Sequence, residues 1–223
     1  MLKKCFIRMY KITVGISCYK QKAWLYRCLR SLASQTLDKN DFEVIVVNDF
    51  PSETLDDICE AMEDSLNLRL INNKENLGLP QSLNKILKTS KGQYFVRIDS
   101  DDFVSRHFLY MLSTYLDTCQ GEYQAVACDY KKVDEVGNSL GIFSSEKDPI
   151  ACGIMFTYEC LCSIGYYNEE FKMREGHELL KRLNSKYKMA HLELPLYRYR
   201  MHENNRTNSN EVEKYDKKLK WSN

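Results

Sequence analysis

The sequence predicts an α/β protein built on a mostly parallel sheet flanked by helices, and three observations carry that reading. Strand-like and helix-like segments alternate through the first half of the chain, an order that implies parallel strands joined by crossover helices. Residues 42–47 (FEVIVV) are a nearly continuous apolar run, as a strand buried on both faces requires. Each strand-like run of that half ends in a short polar segment, where parallel sheets carry their ligand-binding loops.

The elements follow in order. Residues 12–17 (ITVGIS) are a short β-rich run ending in polar residues. Trp24, Leu25, Cys28, Leu29 and Leu32 recur at helical spacing and predict a helix over 24–33. The 42–47 strand stops at Asn48-Asp49-Phe50-Pro51-Ser52, and Leu55, Ile58 and Met62 then mark one face of a helix over 54–66. A third strand over 68–71 leads into a polar loop, 72–76, and Gly78. The helix over 80–88 has Pro80 in its first turn, where a missing N–H costs nothing. Gly92 breaks the chain before a fourth strand, 94–98 (YFVRI), which runs into Asp99-Ser100-Asp101-Asp102.

The second half is less regular. It reads as a helix over 108–116, a strand over 125–130 and a polar hairpin over 133–145 turning at Gly137 and Gly141. An apolar run over 152–160, a helix over 175–186 carrying Leu179, Leu180 and Leu183, and a last strand over 192–199 complete it. These strands predict a smaller mixed sheet beside the first. The expected organisation is one domain, with a first half of about 12–116, a second of about 117–207 and a tail from 208 to 223.

Composition narrows the function classes. The chain has 223 residues, 43% hydrophobic and 28% charged, with a net charge of +1. That balance lacks the basic excess of a nucleic-acid binder. No stretch approaches the roughly 18 consecutive apolar residues that suggest a membrane span. The first eight residues begin like a signal peptide, but Arg8 and Lys11 interrupt any apolar core and no small-residue cleavage site follows. The expectation is a cytoplasmic protein. Nine cysteines are scattered and odd in number, and Cys160 and Cys162 form a C-x-C without a second pair, so reduced thiols are expected rather than disulfides or zinc.

Chemistry concentrates in four loops that follow strands: 17–20, 48–52, 72–79 and 99–102. In Asp99-Ser100-Asp101-Asp102, three carboxylates within four residues repel one another unless a cation or solvent compensates. Mg²⁺ or Mn²⁺ takes such oxygen ligands and bridges to diphosphate; a solvated acidic turn capping a helix over 103–116 is the alternative. Asp49 can accept a hydrogen bond from a base or ribose, or make an Asx turn. Tyr19 can stack on a base or cover the sheet edge.

Together these segments resemble the inverting, GT-A fold glycosyltransferases of family 2, over about residues 12–207. Ile16-Ser17-Cys18-Tyr19-Lys20 stands where that family has I-P-x-Y-N, and Ser31-Leu32-Ala33-Ser34-Gln35-Thr36 where it has S-x-x-x-Q-T. Asn48-Asp49-Phe50-Pro51-Ser52 is similar to its D-D-G-S, and Asn76 to Asn84 to its N-x-G-L-x-x-S-L-N. The block from Gly92 to Asp102, the stretch from Gly165 to Phe171 and the closing Tyr199-Arg200-Met201-His202 follow in the family order.

The resemblance implies roles by position. Ser17, Tyr19 and Asp49 would hold the nucleotide base, the aspartate reading a pyrimidine edge. Asp99 and Asp101 match the D-x-D pair; Asp101 is the better metal candidate, with His202 beside it, and Asp99 the better candidate for ribose or donor sugar. Arg200 would neutralise charge on the leaving diphosphate. The implied partners are a nucleotide-diphosphate sugar, with UDP-sugars the commonest donors, and a saccharide or lipid-linked saccharide acceptor of bacterial surface polysaccharide synthesis. Mn²⁺ or Mg²⁺ is the implied cofactor.

One departure matters. The family's E-D-x-x-L-x-x-R, whose aspartate is the general base, appears as Glu175-Gly176-His177-Glu178-Leu179-Leu180-Lys181-Arg182. Glycine takes no proton, so the base must be Glu175, Glu178 or His177, or the chain is a catalytically impaired nucleotide-sugar-binding subunit. The two glutamates can also serve as a charge pair at a helix N-terminus, with His177 facing solvent. A nucleotidyltransferase is disfavoured, because no Gly-rich phosphate loop follows the first strand. In the tail, Val212, Tyr215, Leu219 and Trp221 lie near helical spacing among lysines. That pattern suits a helix packed on its own domain or on a dimer partner, or a peripheral contact with the inner face of a membrane.

Overall fold

The computed structural model describes residues 9–203, 205–206 and 211–221. The signal-like start, Asn204, Thr207 and the beginning of the tail lie outside these residues, as does the side chain of Trp221.

The first half is a parallel α/β unit. Strand β1 (Tyr10–Cys18) leads through helix α1 (Lys22–Ala33) to β2 (Phe42–Asn48), and a short helix α2 (Asp56–Glu60) leads to β3 (Leu68–Asn72). Helix α3 (Leu79–Thr89), with Pro80 in its first turn, returns the chain to β4 (Gly92–Arg97). β1 pairs in parallel with both β2 and β4, and β2 with β3. Gly92 is required where β4 begins: a Cβ there would lie 2.3 Å from the Thr13 nitrogen.

The expected helix over 54–66 is helical only as α2, and the chain then continues in turns. Leu55, Cys59, Met62 and Leu66 are nevertheless buried. The apolar spacing that suggested a long helix therefore packs, while Glu60, Glu63 and Asp64 put negative charge where a helix C-terminus disfavours it.

After the acidic loop come a two-residue strand β5 (Phe103–Val104), helix α4 (Phe108–Thr118), and the hairpin of β6 (Ala125–Val133) with β7 (Ser139–Phe143). The apolar run over 152–160 splits into β8 (Met155–Thr157) and helix α5 (Tyr158–Ile164). The Thr157 hydroxyl accepts from the Cys160 N–H and starts that helix. Helix α6 (Glu175–Asn184), strand β9 (Met189–Arg200) and helix α7 (Val212–Trp221) complete the order.

The strands lie in the order β3-β2-β1-β4-β8-β6-β9-β5, with β7 beside β6. The mixed strands of the second half thus extend the first sheet. The core divides across the faces of that sheet as the two-residue period requires. Val44 and Val46 pack with Leu25, Cys28 and Leu29 of α1 and Phe108 and Leu112 of α4. Ile45 and Val47 pack with Leu83 and Ile86 of α3 and Leu179 and Leu183 of α6. No helix among the described residues is long and apolar enough to cross a membrane.

Candidate active site

The carboxyl ends of β1, β2, β3 and β4 point the same way, so their four loops gather at one end of the sheet. Tyr19 is 40% exposed there, edge-on to Phe50 with ring centres 5.5 Å apart. Ser17 is the last-but-one residue of β1, paired with Val47. Asp49 is 1% exposed. Its Oδ1 accepts from Asn73 Nδ2 and the Leu77 N–H, both at 2.8 Å, and its Oδ2 accepts from the Gly78 N–H at 2.9 Å. Asp49 therefore ties the polar loop after β3 to the end of β2.

The acidic loop sorts its carboxylates into three environments. Asp101 Oδ2 is hydrogen-bonded to His202 Nε2 at 2.8 Å and accepts from Gln21 Nε2 at 2.9 Å. The His202 ring stacks on Trp24, with centres 5.9 Å apart. Asp99 instead receives the Arg97 guanidinium, Nε to Oδ1 at 2.6 Å and Nη2 to Oδ2 at 3.0 Å. Asp102 is buried, accepting from the Tyr197 hydroxyl at 2.7 Å and the Arg200 N–H at 2.8 Å. Burial, then the charges of Asp101 and Asp99, hold its carboxyl well above the ordinary carboxylate range. The loop caps no helix over 103–116, because residues 103 and 104 are the strand β5 and α4 begins only at Phe108.

The donors around the acidic loop differ in how well they suit the implied metal. Asp99, Asp102 and the Cys152 thiol bring one ligand atom each within 4.8 Å of one another. Burial, then Asp99 and Asp102, push the thiol well above its ordinary value, so it keeps its proton and suits a hard cation poorly. The carboxylate of Asp101 with the imidazole of His202 is the better match to Mn²⁺, as an oxygen and a nitrogen donor already in contact.

Arg200 is 0% exposed. Its Nε donates to the Asp101 carbonyl at 2.7 Å and its Nη1 to the carbonyls of Asp134 and Glu135. Nη2 has no hydrogen-bond partner among the described residues, and Cζ lies 4.3 Å from the centre of the Trp24 ring, a cation–π contact. The guanidinium thus backs the acidic loop, with carbonyls and an indole around it.

On the acceptor side, α6 starts with Glu175, 5% exposed, whose Oε1 accepts from Arg97 Nη1 at 2.8 Å. Glu178 is held at both oxygens by Arg182, each at 2.7 Å, and Arg182 also donates to the carbonyls of Ile164, Gly165 and Tyr166. His177 is half-buried; burial, then the Arg174 charge, lowers its pKa below 6.5. Both glutamates do lie in the first turn of α6, where negative charge suits a helix N-terminus, although neither caps it with a side-chain hydrogen bond and His177 does not face open solvent. At Gly176 a Cβ would lie 2.3 Å from the Ala151 Cβ.

Arg97, Gln21, Trp24 and Tyr197 escaped the sequence reading. For Arg97 a signal existed, a lone charge in the apolar strand YFVRI; Gln21 and Tyr197 had none, since their partners lie 80 and 95 residues away.

The tail helix α7 packs on its own chain. Tyr215 meets Phe171 and Met173, Arg174 binds Asp216 through two hydrogen bonds, and Lys218 reaches Glu170.

Comparisons with known proteins agree with this fold. The chain is 31% identical over 110 residues to the poly(ribitol-phosphate) β-N-acetylglucosaminyltransferase TarS of Staphylococcus aureus, an alignment of 49% of this chain and 19% of that protein. It is 24% identical over 237 residues to an uncharacterised glycosyltransferase of Haemophilus influenzae, covering 95% of this chain and 72% of the other. The chain thus spans about a fifth of the length of TarS. Among solved structures, S. aureus TarS 1–349 in complex with UDP-GlcNAc superposes with a TM-score of 0.76 at 22% identity, over 89% of this chain and 61% of that one. The mannosyltransferase PcManGT from Pyrobaculum calidifontis, in complex with GDP-Man and Mn²⁺, gives 0.67 at 16% identity over 87% and 58%. Both share the fold. The glycosyl transferase family 2 profile matches residues 13–144, more than half of the sequence, and the chain belongs to that family.

Proposed function

We propose that this chain transfers a sugar from a nucleotide-diphosphate sugar, with UDP-sugars first in line, to a saccharide acceptor, inverting the anomeric carbon and depending on Mn²⁺ or Mg²⁺. The contact between Asp101 and His202 carries the reading: 101 residues apart in sequence, they meet at 2.8 Å beside the four loops. The UDP-GlcNAc bound to TarS and the GDP-Man and Mn²⁺ bound to PcManGT support the donor class and the ion. The action of TarS on poly(ribitol-phosphate) supports a surface-polymer acceptor, free or lipid-linked.

In this reading Tyr19, Phe50 and Ser17 receive the base, while Asp49 shapes the pocket wall through Leu77 and Gly78. Asp101 and His202 would hold the cation, which when bound would supply Lewis-acid stabilisation of the leaving diphosphate. Asp99, at the open side of Arg97, faces the donor sugar or ribose. Glu175 takes the proton of the acceptor hydroxyl as its oxygen forms a bond to the anomeric carbon and the bond to the diphosphate oxygen breaks. Three observations favour Glu175: Gly176 has no side chain, Glu178 is fully engaged by Arg182, and Glu175 lies one arginine away from Asp99.

Calorimetric titration of UDP, GDP and dTDP, with and without Mn²⁺, tests the donor site. One nucleotide is expected to bind in a metal-dependent way and to lose that dependence in Asp101→Ala. No binding by any of the three would sink the reading. A second reading, a binding subunit without transfer, draws on Ala151 filling the space beside Gly176. UDP-sugar hydrolysis above background, lowered at least about 100-fold but still measurable in Glu175→Gln, would eliminate it.

A further inference from the structure

We infer that Arg97 is a positioning residue that fixes the acceptor-side carboxylate of Glu175 to the donor-side carboxylate of Asp99, so that one guanidinium sets the geometry of both halves of the reaction. The inference rests on Glu175 being the base.

Arg97 ends β4 and is 6% exposed. Its Nε and Nη2 bind the two oxygens of Asp99, and its Nη1 binds Glu175 Oε1, 78 residues further along the chain. Burial works against its charge, yet the two carboxylates outweigh burial and hold Arg97 well above its ordinary value. Its main chain also joins the halves: the Arg97 carbonyl accepts from the Gly153 N–H at 2.9 Å. That contact anchors the segment whose Ala151 faces Gly176 and whose Cys152 thiol approaches Asp102.

Two physical points separate this arrangement from an incidental ion pair. A buried ion pair gives little net stability compared with apolar packing, so its presence in an otherwise apolar strand calls for another reason. The geometry supplies one. Because Asp99 spends both oxygens on Arg97, it stands apart from Asp101, which is left to His202 and Gln21. The rigid planar fork of arginine satisfies two carboxylates at a fixed angle; the single ammonium of lysine holds one well and the other poorly. Arg206 Nη1 also lies 3.9 Å from Glu175 Oε1, but its side chain is 47% exposed, so it cannot impose the same constraint.

The test is a double-mutant cycle on the full chain, with Arg97→Lys, Glu175→Gln and the pair. It reads hydrolysis of UDP-GlcNAc and UDP-glucose with water as acceptor, and UDP affinity by titration with Mn²⁺. Arg97→Lys is expected to lower kcat about 100-fold, the cost of displacing a reacting group by about 1 Å. UDP affinity should fall far less than kcat, because the base pocket, Asp101 and His202 are untouched, and in the Glu175→Gln background the same change should cost at most about tenfold, since only the hold on Asp99 is then left to lose. Retention of kcat, or an equal loss in both backgrounds, would overturn the inference and leave Arg97 a structural support. If Arg97→Lys does not fold, Arg97→Gln is read in the same cycle, with the same two outcomes. Failure of the wild-type chain to bind UDP or hydrolyse either sugar would overturn the reading of the site itself, a result distinguishable from any of these.

Discussion

Gly176 and Ala151 are in contact so close that a side chain at 176 has no room, since its Cβ would fall 2.3 Å from the Ala151 Cβ. The position at which the sequence resemblance expected a general-base aspartate is filled from outside by another segment. Two consequences can be measured. Gly176→Asp alone is expected to destabilise the fold by about 1–3 kcal/mol, the usual cost of overpacking. It should not raise hydrolysis of UDP-sugars. Combining it with Ala151→Gly removes the obstructing methyl and should recover most of the stability in a denaturant melt.

Arg200 supports the acidic loop from behind, through the Asp101 carbonyl and the Asp102 carboxylate. Arg200→Met should cost about 2–4 kcal/mol, because the buried Asp101 carbonyl and the carbonyls of the 134–135 turn lose their donor. It should also weaken the Mn²⁺-dependent part of nucleotide binding more than the metal-free part. Equal weakening of both would show that Arg200 acts on the whole site and not on the Asp101 loop.

His177 adds a pH dependence whose sign is fixed by its lowered pKa. The unfolded chain binds a proton at this histidine near pH 6.5, while the folded chain resists it. Stability is therefore full above pH 6.5 and declines as pH falls through the window below it, by at most about 1.4 kcal/mol per pH unit for one proton. His177→Gln should flatten the slope of melting temperature against pH in that window. An unchanged slope would assign the acid sensitivity elsewhere.

The docking of α7 combines an apolar contact with an ion pair of unequal worth. Tyr215 is 8% exposed among Phe171 and Met173, whereas the Asp216 side chain is 41% exposed where it meets Arg174. An exposed pair contributes about 0–1 kcal/mol, and a buried aromatic several times more. Tyr215→Ala is thus expected to release the helix to proteolysis, while Asp216→Ala leaves it docked. The reverse order would mean that the charge pair holds the tail.

Much of this protein was legible in its residues. The apolar run over 42–47, the glycine at 92 and the polar segments after each strand specified a parallel sheet and the end of it that carries the loops, because strand burial and backbone sterics are local properties. The order of the motifs identified the family and nominated Asp49, Asp99, Asp101, Glu175 and His202. The extent of α2 and the split of the apolar run into β8 and α5 were not legible, since the same spacing of apolar side chains serves a helix or a set of packed turns.

The sequence by itself determined which residues carry charge, which faces are apolar and which glycines the backbone needs. Only the tertiary structure decided which charges meet. It paired Asp101 with His202, brought Glu175 to the Arg97 that also holds Asp99, and buried Arg200 behind the acidic loop. The reason is physical: a buried carboxylate takes the nearest donor that packing delivers, and for residues 80 to 100 positions apart that is set by sheet order and register.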